Sequence, residues 1–122
     1  MADILVVEDE IAIAMTLEAL LEDEGHQVRV AEQGRAGLAA IAVRVPALVL
    51  TDTNMPEMTG PEMVSAMLDE GQRAIPVIVM SAMPEEQVRP AYRRCDAFIA
   101  KPFRLHQLAA MIRHILAEAE PR

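Results

Sequence analysis

Polar side chains with chemical potential stand where four apolar runs stop. Glu8 and Asp9 follow Ile4-Leu5-Val6-Val7, Asp52 follows Leu48-Val49-Leu50-Thr51, Ser81 follows Val77-Ile78-Val79-Met80, and Lys101 follows Ala97-Phe98-Ile99-Ala100. Asp52 is the most informative, because it leads from an apolar run into a segment punctuated by Asn54, Pro56 and Gly60, where a carboxylate is more often functional than structural. Three carboxylates brought together repel one another and call for a cation; an oxygen-only set suits Mg²⁺, held by one or two carboxylates, waters and a phosphate. Lys101 adds a fixed positive charge and Ser81 a hydroxyl donor, the groups that stabilise charge on the oxygens of a transferring phosphoryl group. In such a setting Asp52 is the natural nucleophile, since a carboxylate can form an acyl phosphate.

For these residues to meet, the runs must be neighbouring strands pointing the same way. Short β-rich runs at Ile4 to Val7, Gln27 to Ala31, Leu48 to Thr51, Pro76 to Met80 and Ala97 to Ala100 alternate with segments of helical period. That alternation predicts βα units around a parallel sheet, and the continuously apolar runs read as strands covered on both faces. The first helix is expected from Ile11 to Glu24, with Ile13, Leu17, Leu20 and Leu21 inward, ending at Gly25; the second from Arg35 to Arg44, ahead of Pro46. The third is expected from Pro61 to near Gly71, with Met63, Val64, Met67 and Leu68 inward. The last is expected from Leu105 to about Ala119, with Leu105, Leu108, Met111, Ile112, Ile115 and Leu116 in one stripe. Between them, Pro84-Glu85-Glu86 starts a helix that Pro90 must shorten or bend. Ligands of open parallel α/β sheets bind beyond the carboxyl ends of the strands, where Glu8, Asp9, Asp52, Ser81 and Lys101 all fall.

Composition narrows the function classes. The 122 residues suit one domain, residues 1–122, with a single core. A net charge of −8 argues against unaided nucleic-acid binding. The lone Cys95 excludes an intrachain disulfide, His26, His106 and His114 are scattered, and no apolar run approaches a membrane span or a signal peptide. A reducing cytoplasm is the expected setting.

The chain resembles, over essentially its whole length, a receiver domain of the two-component response regulators. The resemblance rests on Glu8-Asp9, the stretch Asp52-Thr53-Asn54-Met55-Pro56 with Gly60 after it, Ser81-Ala82, and Phe98-Ile99-Ala100-Lys101-Pro102-Phe103. Each fragment alone is weak; together, in this order, they are specific. The resemblance implies a flavodoxin-like doubly wound (βα)₅ fold with strand order 2-1-3-4-5. It implies that Asp52 accepts a phosphoryl group from a phosphohistidine of a sensor histidine kinase or histidine phosphotransfer protein; charge and hydropathy already give no direct nucleic acid and no membrane among the expected partners. Asp9, Asp52 and the backbone carbonyl of Asn54 would bind Mg²⁺, with Glu8 assisting through water, and the backbone at Asn54 and Ala82 would contact the phosphate. Lys101 would pair with the phosphate, the Lys101-Pro102 bond would be cis, and Ser81 and Phe98 would act as the switch pair. The product would be a monomer or a phosphorylation-dependent dimer acting on an output protein. Pro61, Pro90 and Arg94-Cys95 depart from the family pattern on the face where that signal would be read.

Blander readings exist for each element. Glu8-Asp9 could cluster at a helix N-terminus and Ser81 could cap the next helix. Asp52 could be a turn residue, Lys101 a solvated lysine and Phe98 a core aromatic, while the methionines fill core gaps and Cys95 is a small buried residue. Joint placement favours the site for the charged set. A haloacid-dehalogenase-like phosphohydrolase also uses an Asp nucleophile, Mg²⁺, Ser or Thr and Lys, but needs a second Asp two residues on, where this chain has Asn54. A flavodoxin-like cofactor binder would lack its phosphate loop and meet repulsion from Glu8-Asp9.

Overall fold

The computed structural model describes residues 1–119. Five strands and five helices alternate: β1 Asp3–Val7, α1 Ile11–Asp23, β2 Gln27–Ala31, α2 Gly34–Val43, β3 Leu48–Asp52, α3 Gly60–Asp69, β4 Val77–Ser81, α4 Glu85–Val88, β5 Ala97–Ala100 and α5 Leu105–Ala119. All strand pairs are parallel and the order is β2-β1-β3-β4-β5. This is the doubly wound flavodoxin-like sheet. The central strands β3 and β4 are buried at every position, which is why they read as unbroken apolar runs, while β2 at the edge is exposed or half-buried up to Val30 and buried only at Ala31.

Two cores flank the sheet. Leu5, Val7, Val49, Val77 and Val79 pack on Met63, Val64 and Met67 of α3, with Ile41 of α2 and Tyr92; Ile4, Val6, Leu48, Leu50, Ile78 and Met80 pack on Leu17 and Leu21 of α1 and Leu108 and Ile112 of α5. Met55, Met63, Met67 and Met80 do fill the core, whereas Met15 and Met83 are exposed. Leu105 also departs from the expected stripe: it is exposed at the first residue of α5, before the helix has turned onto the sheet. Cys95 is half-buried rather than buried.

Helix ends follow local chemistry. Gly25 and Gly71, just beyond α1 and α3, take φ of +91° and +92°, a conformation costly for any residue with a Cβ. Helix α3 starts one residue earlier than Pro61 alone indicates, because Thr59 and Glu62 form a reciprocal capping box around Gly60-Pro61. Pro90 acts as expected. Helix α4 stops at Val88, and the chain continues as a 3₁₀ turn over Arg89–Ala91.

Candidate functional site at the carboxyl edge of the sheet

The parallel sheet delivers its strand ends to one edge. Asp52 and Ser81 are the last residues of β3 and β4 rather than the first of their loops, so sheet hydrogen bonds fix both backbones; Asp52 is registered against Met80 and Ser81 against Ala100. Glu8 leaves β1 in the same direction, with its amide donating to the Ala31 carbonyl at 2.9 Å. Lys101 follows β5, its amide donating to the Ser81 carbonyl at 2.8 Å, and the Lys101-Pro102 bond is cis.

The side chains converge accordingly. Lys101 Nζ lies 2.7 Å from Glu8 Oε1 and 3.2 Å from Asp52 Oδ1. The Thr53 amide donates to the same Asp52 Oδ1 at 2.9 Å, so Oδ2 takes part in neither contact. Glu8, Asp9 and Asp52 each offer a carboxylate oxygen, all within 4.8 Å of one another. Asp9 is exposed while Glu8 and Asp52 are buried, so the cluster opens to solvent on the Asp9 side. Burial drives the Glu8 carboxyl above its ordinary pKa despite the Lys101 and Glu10 hydrogen bonds, with the Asp52 charge adding to the rise. Burial alone would lower Lys101, but the Glu8 hydrogen bond and the Asp52 and Glu8 charges outweigh it and hold the ammonium above its usual range. One ammonium faces three carboxylates, an excess of negative charge and of oxygen ligands that a hard divalent cation would neutralise.

Other expected residues take their places around this cluster. Asn54 is exposed in the loop after Asp52, its amide reaching Met83 Sδ at 3.6 Å. Ser81 Oγ accepts from the Met83 amide at 3.0 Å and thereby turns the β4–α4 loop, with Ala82 exposed within it. Ser81 does not cap α4, whose N-cap is Pro84 without a side-chain bond. Nor do Glu8 and Asp9 cap α1: its N-cap is Glu10, whose side chain makes no capping bond, and Glu8 Oε2 accepts from the Glu10 amide. Phe98 is half-buried on β5 against the α3 side of the core.

The α4–β5 connection, which contains Arg94 and Cys95, is knit to its surroundings. Arg93 binds Asp69 Oδ1 at 2.8 Å and Ser65 Oγ at 2.9 Å on α3. Arg94 pairs with Asp96 at 2.9 Å and donates to the Arg73 carbonyl, and Cys95 Sγ contacts the Ala97 carbonyl. Two residues with a part in the site escaped sequence reasoning. Thr53 Oγ1 sits 3.1 Å from the Tyr92 hydroxyl, placing a buried phenol directly behind the Asp52 loop. Tyr92 being the chain's single tyrosine was the only available sign.

A parallel five-stranded sheet in this order, with an acidic cluster and a lysine at its carboxyl edge, defines a receiver-type signalling domain. Comparison with known proteins agrees. The model of the response regulator receiver domain matches residues 4–113, and the chain belongs to that family. It is 36% identical over 115 residues to the KDP operon transcriptional regulatory protein KdpE of Escherichia coli, covering 93% of this chain and 50% of KdpE. It superposes with a TM-score of 0.90 and 30% identity on the signal receiver domain of a signal transduction histidine kinase from Syntrophus aciditrophicus, covering 100% of this chain and 95% of that one. The Vibrio cholerae chemotaxis protein CheY4 gives a TM-score of 0.85 at 28% identity, over 94% of this chain and 98% of that one. The chain spans about half the length of the curated relatives it matches. It is thus a receiver domain of two-component systems, and the phosphohydrolase alternative finds no support. Among the described residues no helix is long and apolar enough to cross a membrane.

Proposed function

We propose that Asp52 is the phosphoacceptor of this receiver, taking a phosphoryl group from the phosphohistidine of a sensor histidine kinase or histidine phosphotransfer protein. The observation that carries this reading is the single ammonium of Lys101 shared between Glu8 and Asp52, with Asp9 beside them at the open edge of the sheet. An Asp52 carboxylate oxygen attacks the phosphorus, the P–N bond to the donor imidazole breaks, and an aspartyl phosphate forms. Lys101 exchanges its Asp52 contact for a phosphoryl oxygen and keeps its anchor on Glu8. The Ser81 hydroxyl turns from the Met83 amide to donate to a second phosphoryl oxygen, and the Ala82 amide contacts a third.

Asp9, Asp52 and the Asn54 carbonyl would hold Mg²⁺, with Glu8 supporting it through water. When bound, the ion would neutralise the carboxylates and act as a Lewis acid on the phosphoryl oxygens. Movement of Ser81 draws its loop inward and frees Phe98 to rotate, shifting an existing equilibrium between two surfaces. The protein is in this reading a cytoplasmic switch that promotes its own phosphorylation and dephosphorylation, in one domain over residues 1–122, acting on an output partner as monomer or phosphorylation-dependent dimer; residues 120–122 lie outside the described residues. The test is intact mass after incubation with Mg²⁺ and acetyl phosphate or a phosphohistidine donor. A phosphate-sized gain that Asp52→Asn abolishes is expected; no gain with any donor, while Mg²⁺ still binds, would overturn the reading.

A further inference from the structure

We propose that Tyr92 is a positioning residue for Asp52 and the route by which the state of that carboxylate reaches the α4 segment, through the side chain of Thr53. The proposal rests on Asp52 being the phosphoacceptor. Its basis is an unbroken set of contacts. Tyr92 directly follows the 3₁₀ turn Arg89–Ala91 and is tied to it by its own amide, which donates to the Arg89 carbonyl at 3.1 Å. Its ring is 8% exposed and packs in the core beside Val88 and Val64. Its hydroxyl meets Thr53 Oγ1 at 3.1 Å, and Thr53 is the residue whose amide holds Asp52 Oδ1 at 2.9 Å.

Gly60 shows how closely the phenol approaches the acidic loop. The loop is closed by the Gly60 amide donating to the Thr53 carbonyl at 2.9 Å. A Cβ on Gly60 would stand 2.2 Å from the Tyr92 hydroxyl and 2.5 Å from the Asp52 carbonyl oxygen. The phenol therefore rests on the closure of the very loop that presents the acceptor. Thr53 Oγ1 also lies 3.4 Å from the Met80 carbonyl, so the hydroxyl chain can run from Tyr92 through Thr53 to β4, one residue before Ser81. Burial raises the Tyr92 pKa far above its ordinary value, which keeps the phenol protonated and able to donate.

The segment Tyr92 belongs to makes this coupling consequential. With α4 cut to Glu85–Val88, no long helix separates the site from the α4–β5 connection. Arg93, the next residue, is bound to Ser65 and Asp69 of α3. A shift of Thr53 when Asp52 is charged with phosphate is thus transmitted to Tyr92 and to a segment anchored on both sides. Coupling of this kind is reciprocal: whatever Asp52 does to Tyr92, the Tyr92 hydroxyl does to Asp52.

The chain provides its own probe, because Tyr92 is the single tyrosine and there is no tryptophan. Wild type, Thr53→Ser, Thr53→Val and Tyr92→Phe are treated with Mg²⁺ and acetyl phosphate, following phosphate uptake by intact mass in all four and tyrosine emission in the three that keep Tyr92. Emission is expected to change with phosphate uptake in the wild type and in Thr53→Ser, which keeps the hydroxyl, and to lose that change in Thr53→Val. Tyr92→Phe should take up phosphate about two- to tenfold more slowly, the worth of one hydrogen bond. The slowing should fall on the maximal rate and not on the half-saturating acetyl phosphate concentration. Phosphate gain in the wild type with unmoved emission, an undiminished emission change in Thr53→Val, or wild-type rates in Tyr92→Phe would each overturn the coupling. If the wild type gains no phosphate at all, the phosphoacceptor reading itself fails and the coupling falls with it.

Discussion

Replacing Gly60 by Ala is the sharpest structural test of how the acidic loop is built. The φ of Gly60 lies outside the positive range seen at Gly25 and Gly71, so alanine meets no backbone strain there, and reduced freedom of the unfolded chain would favour it by about 0.4–1 kcal/mol. Sterics decide otherwise. The added methyl would lie 2.5 Å from the Asp52 carbonyl oxygen and 2.2 Å from the Tyr92 hydroxyl, both closer than Cβ atoms tolerate. The first neighbour is strand backbone and cannot rotate away, so overpacking costs about 1–3 kcal/mol. Displacing Tyr92 forfeits its Thr53 hydrogen bond, worth roughly a further 1 kcal/mol. The net is a loss of about 1–3.5 kcal/mol, which for a domain of this size lowers Tm by about 4–14 °C. Urea and thermal unfolding followed by far-ultraviolet circular dichroism measure it. Gly60→Ala combined with Tyr92→Phe should be less destabilised than the sum of the two, since the phenylalanine removes one of the two colliding atoms. A Gly60→Ala chain within about 0.5 kcal/mol of wild type, the ordinary size of a neutral surface change, would refute the reasoning.

Other outcomes follow from the same geometry. Mg²⁺ should raise Tm by binding the acidic cluster, by about 1.4 kcal/mol of stability at ten times its Kd, and Asp9→Asn should remove most of that gain; an Asp9→Asn chain stabilised as much as wild type would place the cation elsewhere. Ile11 and Met15 are exposed apolar residues on the first turns of α1, shortly after Asp9, and on the proposed function they offer a surface to the phosphohistidine donor. Met15→Glu should therefore slow phosphorylation by a histidine kinase several-fold while leaving acetyl phosphate kinetics unchanged, and equal slowing with both donors would contradict a docking role. At the opposite end of the sheet, His26 Nδ1 accepts from the Ala2 amide at 3.1 Å, and burial, helped by the nearby N-terminal ammonium, lowers its pKa below 6.5. A lowered folded-state value means the unfolded chain binds the extra proton first, so stability is retained above about pH 6.5 and falls as the pH drops below it. Urea midpoints at pH 7.5 and 5.5 should differ more for wild type than for His26→Asn.

Much of this protein is legible in its sequence. Runs of strand length alternating with helical period specify a parallel α/β sheet, because continuously apolar strands need cover on both faces, and the polar residues ending those runs must then share one edge. Pro90 announced the broken fourth helix for a purely local reason, its missing amide proton and clashing ring. Boundaries were less legible: whether Asp52 and Ser81 end their strands or begin their loops depends on neighbouring strands accepting their backbone bonds.

What lay beyond the sequence is whatever depends on atoms distant along the chain arriving together. Lys101 reaching Glu8 across 93 positions, and bonding it more closely than Asp52, depends on the β1 and β5 ends bracketing β3. Tyr92 reaching Thr53 across 39 positions required α4 to stop early and its chain to fold back beneath the loop. Sequence periodicity reports only which side of an element faces inward, a local property set by 2.0 or 3.6 residues per repeat. Which inward-facing groups touch is settled by packing, where the Asp52 carbonyl and the Tyr92 hydroxyl together decide that position 60 must be glycine.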